Sequence, residues 1–237
     1  MIDVGLLASI AIVLTVPAIF LAPWPASAAT AGILDVTLGA LFIGLAVGRV
    51  TALAIDDPGS LSSVSDLLII RSGVEFWPGV IAGLVWLAIR ARGDKVAAAT
   101  RIAALVPAAL VAWACYEATC LIRDGCPGPA TSFGLRPDGL ITRMFPVGLV
   151  VAAAAVATAA LLDRWHRRGL ASRQVVVLAA MAVAATRSIA SIWLPHIGDA
   201  LTRQHRESII VFVLAAGVLV ALRARDRVAP PSAIGAA

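Results

Sequence analysis

The chain has 237 residues, of which 60% are hydrophobic and only 14% are charged, and its formal net charge is +5. Soluble domains hold about a quarter charged residues, so this composition and a mean hydropathy of +0.94 exclude an ordinary soluble protein. The positive charge lies in short clusters beside apolar runs rather than on one folded face. It therefore indicates topogenic arginines in a membrane and argues against a nucleic-acid partner.

Seven apolar segments are long enough to cross a bilayer, which needs roughly 20 residues per helix. The predicted fold class is therefore all-α: a polytopic membrane helix bundle of seven transmembrane helices, with residues 1–237 forming a single transmembrane domain. The predicted spans are about 4–22, 32–54, 74–90, 102–122, 146–162, 174–194 and 208–222.

The first apolar segment also resembles a secretory signal peptide, because Ala26-Ser27-Ala28 follows it like a cleavage site. However, no Lys or Arg precedes the apolar run, whereas a signal peptide carries positive charge there. We therefore expect residues 4–22 to be retained as the first span.

Basic loops alternate with acidic or Gly/Pro-rich loops along the chain. The basic residues that flank the third loop, the fifth loop and the end of the last span are Arg90, Arg92, Lys95, Arg101, Arg164, Arg167, Arg168, Arg173, Arg223, Arg225 and Arg227. With seven spans these places all lie on one side, which the positive-inside rule makes cytoplasmic. We therefore expect the N-terminus outside and the C-terminus in the cytoplasm.

The longest outer loop, residues 123–145, is rich in Gly and Pro, which favour specific turns. Long ordered loops on a rigid scaffold often carry function, although a plain connector is an equal alternative. All three cysteines lie at or just before this loop, between Cys115 and Cys126. Cys120 and Cys126 either form a disulfide on an oxidising side of the membrane or remain free thiols packed as small apolar groups.

Ionisable side chains inside spans are functional candidates, because lipid disfavours charge. Glu117 and Arg187 lie in the outer parts of the fourth and sixth spans, where we expect them to approach to salt-bridge distance across a cavity. Asp35 and Arg49 lie near the two ends of the second span, where snorkelling is sufficient to explain them. The histidines are at span ends or in loops without partners at ligand spacing, so we expect no metal and no cofactor.

A series of unusual features runs in order along the chain. They are Leu38-Gly39 through Gly48-Arg49, Arg71 through Gly83, Cys120 through Gly128, Thr131, Gly134, Leu135, Arg143 through Pro146, Arg187, Leu194-Pro195, and Gln204 through Gly217. This order and spacing resembles the prolipoprotein diacylglyceryl transferases, which also have seven spans with the N-terminus outside. The resemblance covers roughly residues 32–222 and implies a protein of the bacterial plasma (inner) membrane.

The resemblance implies transfer of a diacylglyceryl group from phosphatidylglycerol to the lipobox cysteine of a prolipoprotein signal peptide. Arginines in an outward-opening cavity would hold the phosphate, because a guanidinium fork matches phosphate oxygens. Gly128 matches a glycine of the family's outer loop motif, and Arg187 matches its sixth-span arginine. The implied catalytic residues are Arg187, Glu117 and Arg143, and the implied substrate-binding residues are Gly128, Trp77 and Cys120.

The sequence departs from the family at several of these positions. Trp77, which is followed by Pro78, stands where the family has a histidine, and Glu117 stands where it has an arginine. Cys120 stands where the family has an asparagine, Ser191 where it has a glutamate and Leu38 where it has a tyrosine. Exchanging arginine for glutamate inverts the charge that faces a phosphate, which disfavours phosphatidylglycerol.

Two functions are therefore open: a divergent lipid-group transferase, or a non-catalytic relative that binds lipid or serves as a structural subunit beside other membrane chains. A cavity lined by the candidate charged residues favours chemistry or lipid binding, whereas a dry, filled core favours the subunit.

Overall fold

The computed structural model describes residues 8–9, 11–16, 33–62, 73–122, 128–136, 141–194 and 202–228. Six long helices occur in these residues: α1 (Ile33–Asp56), α2 (Phe76–Gly93), α3 (Ala98–Ala118), α4 (Val147–Arg167), α5 (Ser172–Trp193) and α6 (Arg203–Val228). Short 3-10 turns at Pro58–Ser62 and Thr119–Leu121 follow α1 and α3. The prediction of a helical membrane protein agrees with this architecture.

Within the described residues, five segments are long and apolar enough to cross a membrane: Asp35–Asp56, Ala98–Leu121, Val147–Arg167, Ser172–Trp193 and Arg203–Asp226. These match five of the seven predicted spans. Helix α2 lies where the third span was predicted, but it is not among the five, and its last turn carries Arg90 and Arg92. The first predicted span, residues 4–22, lies largely outside the described residues.

The chain divides into two compact units, Pro23–Leu105 and Met1–Ala22 with Val106–Ala237, and the boundary falls within α3. In the first, which we call the N-terminal unit, α1 and α2 pack through small residues. A Cβ atom added to Gly44 would lie 2.9 Å from the carbonyl oxygen of Gly79, and one added to Gly39 would meet the Trp86 ring. Small residues allow this close helix approach in a membrane.

Charges in the N-terminal unit are held by local partners. Asp35 pairs with Arg90 at 3.3 Å, and Arg90 also lies over the Trp86 ring. Arg49 is 5% exposed and donates from Nη1 to the Gly73 carbonyl oxygen at 3.1 Å. The expectation that Arg49 snorkels was therefore wrong: the start of the segment that leads into α2 supplies a buried acceptor for it.

The second unit, which we call the C-terminal unit, contains the later part of α3 with α4, α5 and α6. Small side chains again line the contacts, since Ala114 of α3 packs with Ala152 and Ala155 of α4. Val151 of α4 packs with Ala190 of α5. These contacts bring the C-terminal ends of α3 and α5 to the N-terminal end of α4.

The loop of residues 123–145, which the sequence predicts to lie outside, contains a small antiparallel strand pair, β1 (Ala130–Thr131) and β2 (Arg143–Met144). Gly134 turns the chain between the strands with φ +130°, a conformation that other residues rarely adopt. Phe145 then packs edge-on against Phe133 and Trp193, with ring centroids 6.2 and 5.7 Å apart. The described part of this loop is therefore anchored on the end of α5, as expected for an ordered loop.

Candidate functional site

A cavity of about 350 Å³ lies in the C-terminal unit, where the ends of its four helices meet. Its lining residues are Trp113, Tyr116, Glu117, Cys120, Val147, Gly148, Val151, Arg187, Ala190, Leu194 and Gln204. Each helix contributes from the same end of the unit: the C-terminal turns of α3 and α5, and the first turns of α4 and α6. The volume is at the lower end of the range for small-molecule sites, about 300–1,000 Å³.

Glu117 is the acidic member of this lining. Its side chain is half-buried, and its Oε1 accepts a hydrogen bond of 2.9 Å from the indole Nε1 of Trp113, one turn earlier on α3. Both residues line the cavity, so this bond restrains the carboxylate at the cavity wall. The prediction that Glu117 lies at a cavity is thus supported by the geometry.

Arg187 is the basic member, and it comes from α5. It shares one face of that helix with Ala190 and Leu194, at spacings of three and seven residues, and all three line the cavity. The structure therefore brings Arg187 and Glu117 to one cavity from two different helices. Their approach to salt-bridge distance stays a prediction.

Gly148 is needed for the cavity wall. A Cβ atom at this position would lie 2.9 Å from the Cys120 sulfur and 2.9 Å from the Glu117 carbonyl oxygen. The first turn of α4 consequently packs directly on the backbone that carries Glu117. A side chain at position 148 would push α3 and α4 apart.

Gly128, the glycine matched to the family's loop motif, allows a similarly close contact in the loop of residues 123–145. It is buried, and a Cβ atom there would lie 2.9 Å from Cγ2 of Val147, the residue that begins α4 and lines the cavity. The amide of Phe145 donates to the Pro129 carbonyl oxygen at 2.9 Å beside it. Gly128 therefore acts through close packing of the backbone at the edge of the cavity.

The cysteines divide into two kinds. Cys115 is a free thiol, whereas Cys120 is disulfide-bonded, 8% exposed and part of the cavity lining. Cys126, the partner considered in the sequence, lies outside the described residues. The alternative of a free, purely packing Cys120 is thereby excluded.

Two predicted site residues lie elsewhere. Arg143 is exposed in β2, where its backbone is paired with Thr131, and it is not part of the cavity lining. Trp77 belongs to the N-terminal unit, where its buried ring packs edge-on against Phe76 with centroids 5.1 Å apart. Arg187, Glu117 and Cys120 are the candidates that the cavity brings together.

The sequence did not predict a polar contact between α5 and α6. The Nδ1 atom of His205 lies 2.8 Å from the Ser191 hydroxyl and 3.0 Å from the Ser188 carbonyl oxygen. Because a carbonyl only accepts, the tautomer with a proton on Nδ1 suits this geometry. The contact fixes the start of α6, whose Gln204 lines the cavity. The sequence does not show this contact, because the residues are 14 and 17 positions apart and meet only through the register of the two helices.

The described residues contain no group of three or more His, Cys, Asp or Glu side chains placed to hold a metal ion. No protein-family model matches the sequence, and no curated protein matches it. Inference about function therefore rests on the chemistry of the cavity and on the residues that form it.

Proposed function

We propose that this chain is a multi-pass protein of the bacterial plasma (inner) membrane that transfers a diacylglyceryl group from a phospholipid to the lipobox cysteine of a prolipoprotein. The observation that carries the proposal is Arg187 in the lining of the cavity. A guanidinium stays charged when partly desolvated, and its planar donors match the oxygens of a phosphate.

The proposed topology has seven spans. Its proposed orientation has the N-terminus outside and the C-terminus in the cytoplasm. Two observations support it. Cys120 is disulfide-bonded at the cavity end, and disulfides persist in oxidising compartments, which supports an outward-facing cavity end. The arginines that follow α4 and end α6 lie at the opposite end of the same helices, where the positive-inside rule favours the cytoplasm.

In the proposed reaction the thiolate of the lipobox cysteine attacks the glycerol carbon that carries the phosphate. A carbon–sulfur bond forms, the carbon–oxygen bond to the phosphate breaks, and the thiol proton ends on the released phosphate monoester. Arg187 would hold the phosphate and stabilise the negative charge that grows on its leaving oxygen.

The test uses purified protein, phosphatidylglycerol with labelled acyl chains and a lipobox peptide. We expect a peptide product heavier by one diacylglyceryl group. Arg187→Gln should lower its rate roughly tenfold or more, the effect of one charged hydrogen bond. Arg225→Gln is the matched control, because Arg225 is exposed near the other end of α6. A rate that is equal in wild type and Arg187→Gln would overturn the proposal.

A second function, a lipid-binding or structural subunit without catalysis, is favoured by Glu117. A carboxylate in the cavity opposes a second negative charge there, where the resembled enzymes carry an arginine. Phospholipid binding that depends on Arg187, together with no lipidated peptide from any phospholipid donor, would select this alternative.

A further inference from the structure

The cavity presents opposite charges on different helices. Arg187 approaches from α5, and Glu117 approaches from α3, with its carboxylate oriented by the Trp113 indole at 2.9 Å. A ligand that fills this cavity meets both charges, so its own charges decide how well it binds.

The surroundings of Glu117 suit a cation. Trp113 and Tyr116 line the cavity beside it, each within one turn of α3. Aromatic faces attract ammonium groups through their negative ring surfaces, and a carboxylate accepts hydrogen bonds from the N–H groups of a primary ammonium. A carboxylate that shares the cavity lining with aromatic side chains is therefore a favourable environment for an amine.

We propose that this cavity selects a zwitterionic phospholipid with a primary ammonium in its headgroup, that is, a phosphatidylethanolamine. Its phosphate lies at Arg187, and its ammonium lies at Glu117, in the part of the cavity that Trp113 and Tyr116 also line. The inference rests on the proposed function in using the same cavity and the same phosphate contact, and it names the donor class.

Phosphatidylglycerol fits the same charges less well. Its headgroup carries the phosphate and two hydroxyl groups but no cation, so it adds negative charge to the cavity and offers no group that attracts the Glu117 carboxylate. With an ethanolamine lipid as donor, the carbon–oxygen bond breaks toward phosphoethanolamine. This product takes the thiol proton, and the carbon–sulfur bond to the acceptor forms as before.

The experiment measures lipid binding without requiring catalysis. Purified protein is equilibrated with mixed micelles of phosphatidylethanolamine and phosphatidylglycerol, and the lipids retained are quantified by mass spectrometry. We expect wild type to retain the ethanolamine lipid in preference, by roughly tenfold, as expected for one charged hydrogen bond. Glu117→Gln should bring the ratio close to one.

Two variants keep the test decisive. Asp163→Asn is the matched control, because it makes the same chemical change at a carboxylate paired with Arg167 near the end of α4, and it should keep the wild-type ratio. Trp113→Phe keeps an aromatic ring but removes the N–H that orients Glu117, and it should reduce the preference even if Glu117→Gln does not fold.

The outcomes separate this inference from the proposed function. Equal or better retention of phosphatidylglycerol by wild type, lost in Arg187→Gln, would overturn the headgroup assignment and leave the transferase proposal standing. Retention of both lipids unchanged in Arg187→Gln would overturn both. A preference for the ethanolamine lipid without peptide lipidation would support the headgroup assignment and favour the non-catalytic alternative.

Discussion

The two ends of the C-terminal unit differ in how deeply their charged side chains are buried. At the cavity end, Glu117 and Arg187 are half-buried and line a cavity of about 350 Å³. At the other end, the arginines are exposed, and their observed partners are local, such as Asp163 for Arg167 one turn away. Exposed arginines cost little free energy and set the orientation in which a chain inserts into the membrane. Partly buried charges are kept only where partners or a ligand compensate them.

The comparison also holds for neutral polar groups. At the cavity end His205 reaches across to Ser191 on the neighbouring helix, and both are at least partly buried. At the arginine end the corresponding contact between α5 and α6 is an exposed hydrogen bond of 3.0 Å from Gln174 to Asp226. The polar contact between α5 and α6 is thus more buried at the cavity end than at the arginine end. A binding site requires side chains that are held in place in this way.

The largest expected effect concerns which end faces outside. A reporter that is active only outside the cytoplasm should work when fused after Ser132, in the outer loop. It should be silent after Arg92, Gly169 or Arg225, because the arginine clusters hold those positions inside. Activity after Gly169 with silence after Ser132 would reverse the orientation of both ends.

The next effect concerns the charge pair. Glu117→Ala should lower the free energy of unfolding by about 1–3 kcal/mol, because it would break the predicted pair with Arg187 in a partly desolvated cavity. Thermal unfolding in detergent measures the loss. Adding Arg187→Ala should restore part of it, since the stranded charge is removed as well. If the losses of the two single variants simply add in the double variant, the two side chains do not interact.

Close packing at the cavity wall predicts a loss of similar size. Gly148→Val should destabilise the protein by about 1–3 kcal/mol, because its side chain would meet the Cys120 sulfur and the Glu117 carbonyl oxygen. Gly217→Val is the matched control, because Gly217 is exposed in α6 with open space around its Cα atom. Equal melting temperatures for the two variants would contradict the tight wall.

The smallest effect is expected at the arginine end. Asp163→Ala removes the carboxylate that pairs with the largely exposed Arg167 at 2.9 Å. Exposed pairs one helical turn apart contribute about 0.3–0.5 kcal/mol, so the melting temperature should barely change. A loss as large as that of Glu117→Ala would show that the two ends do not differ in the way proposed.

Sequence reasoning went furthest where hydrophobic length decides the structure. Five predicted spans coincide with apolar helices, because a run of that length has few alternatives in lipid. For Arg49, by contrast, the sequence could not show the Gly73 carbonyl that allows its burial.

The candidate site was only partly predictable. Intramembrane charge singled out Glu117 and Arg187, and helix packing brings both to one cavity. Arg143 was included because the family resemblance implied it, but the strand pair leaves it exposed. Trp113, Tyr116 and Gln204 were missed, because aromatic and amide residues near span ends are common and only the fold shows which of them converge.

The central claim is that the cavity holds a phospholipid with its phosphate at Arg187, and photo-crosslinking tests it most directly. A phosphatidylethanolamine analogue with a diazirine beside its glycerol is bound, irradiated and mapped by peptide mass spectrometry. We predict adducts at the cavity residues, including Tyr116 and Ala190, that disappear in Arg187→Gln and persist in Arg225→Gln. Adducts confined to exposed residues of α6 such as Val213 and Leu214, unchanged in Arg187→Gln, would contradict the claim.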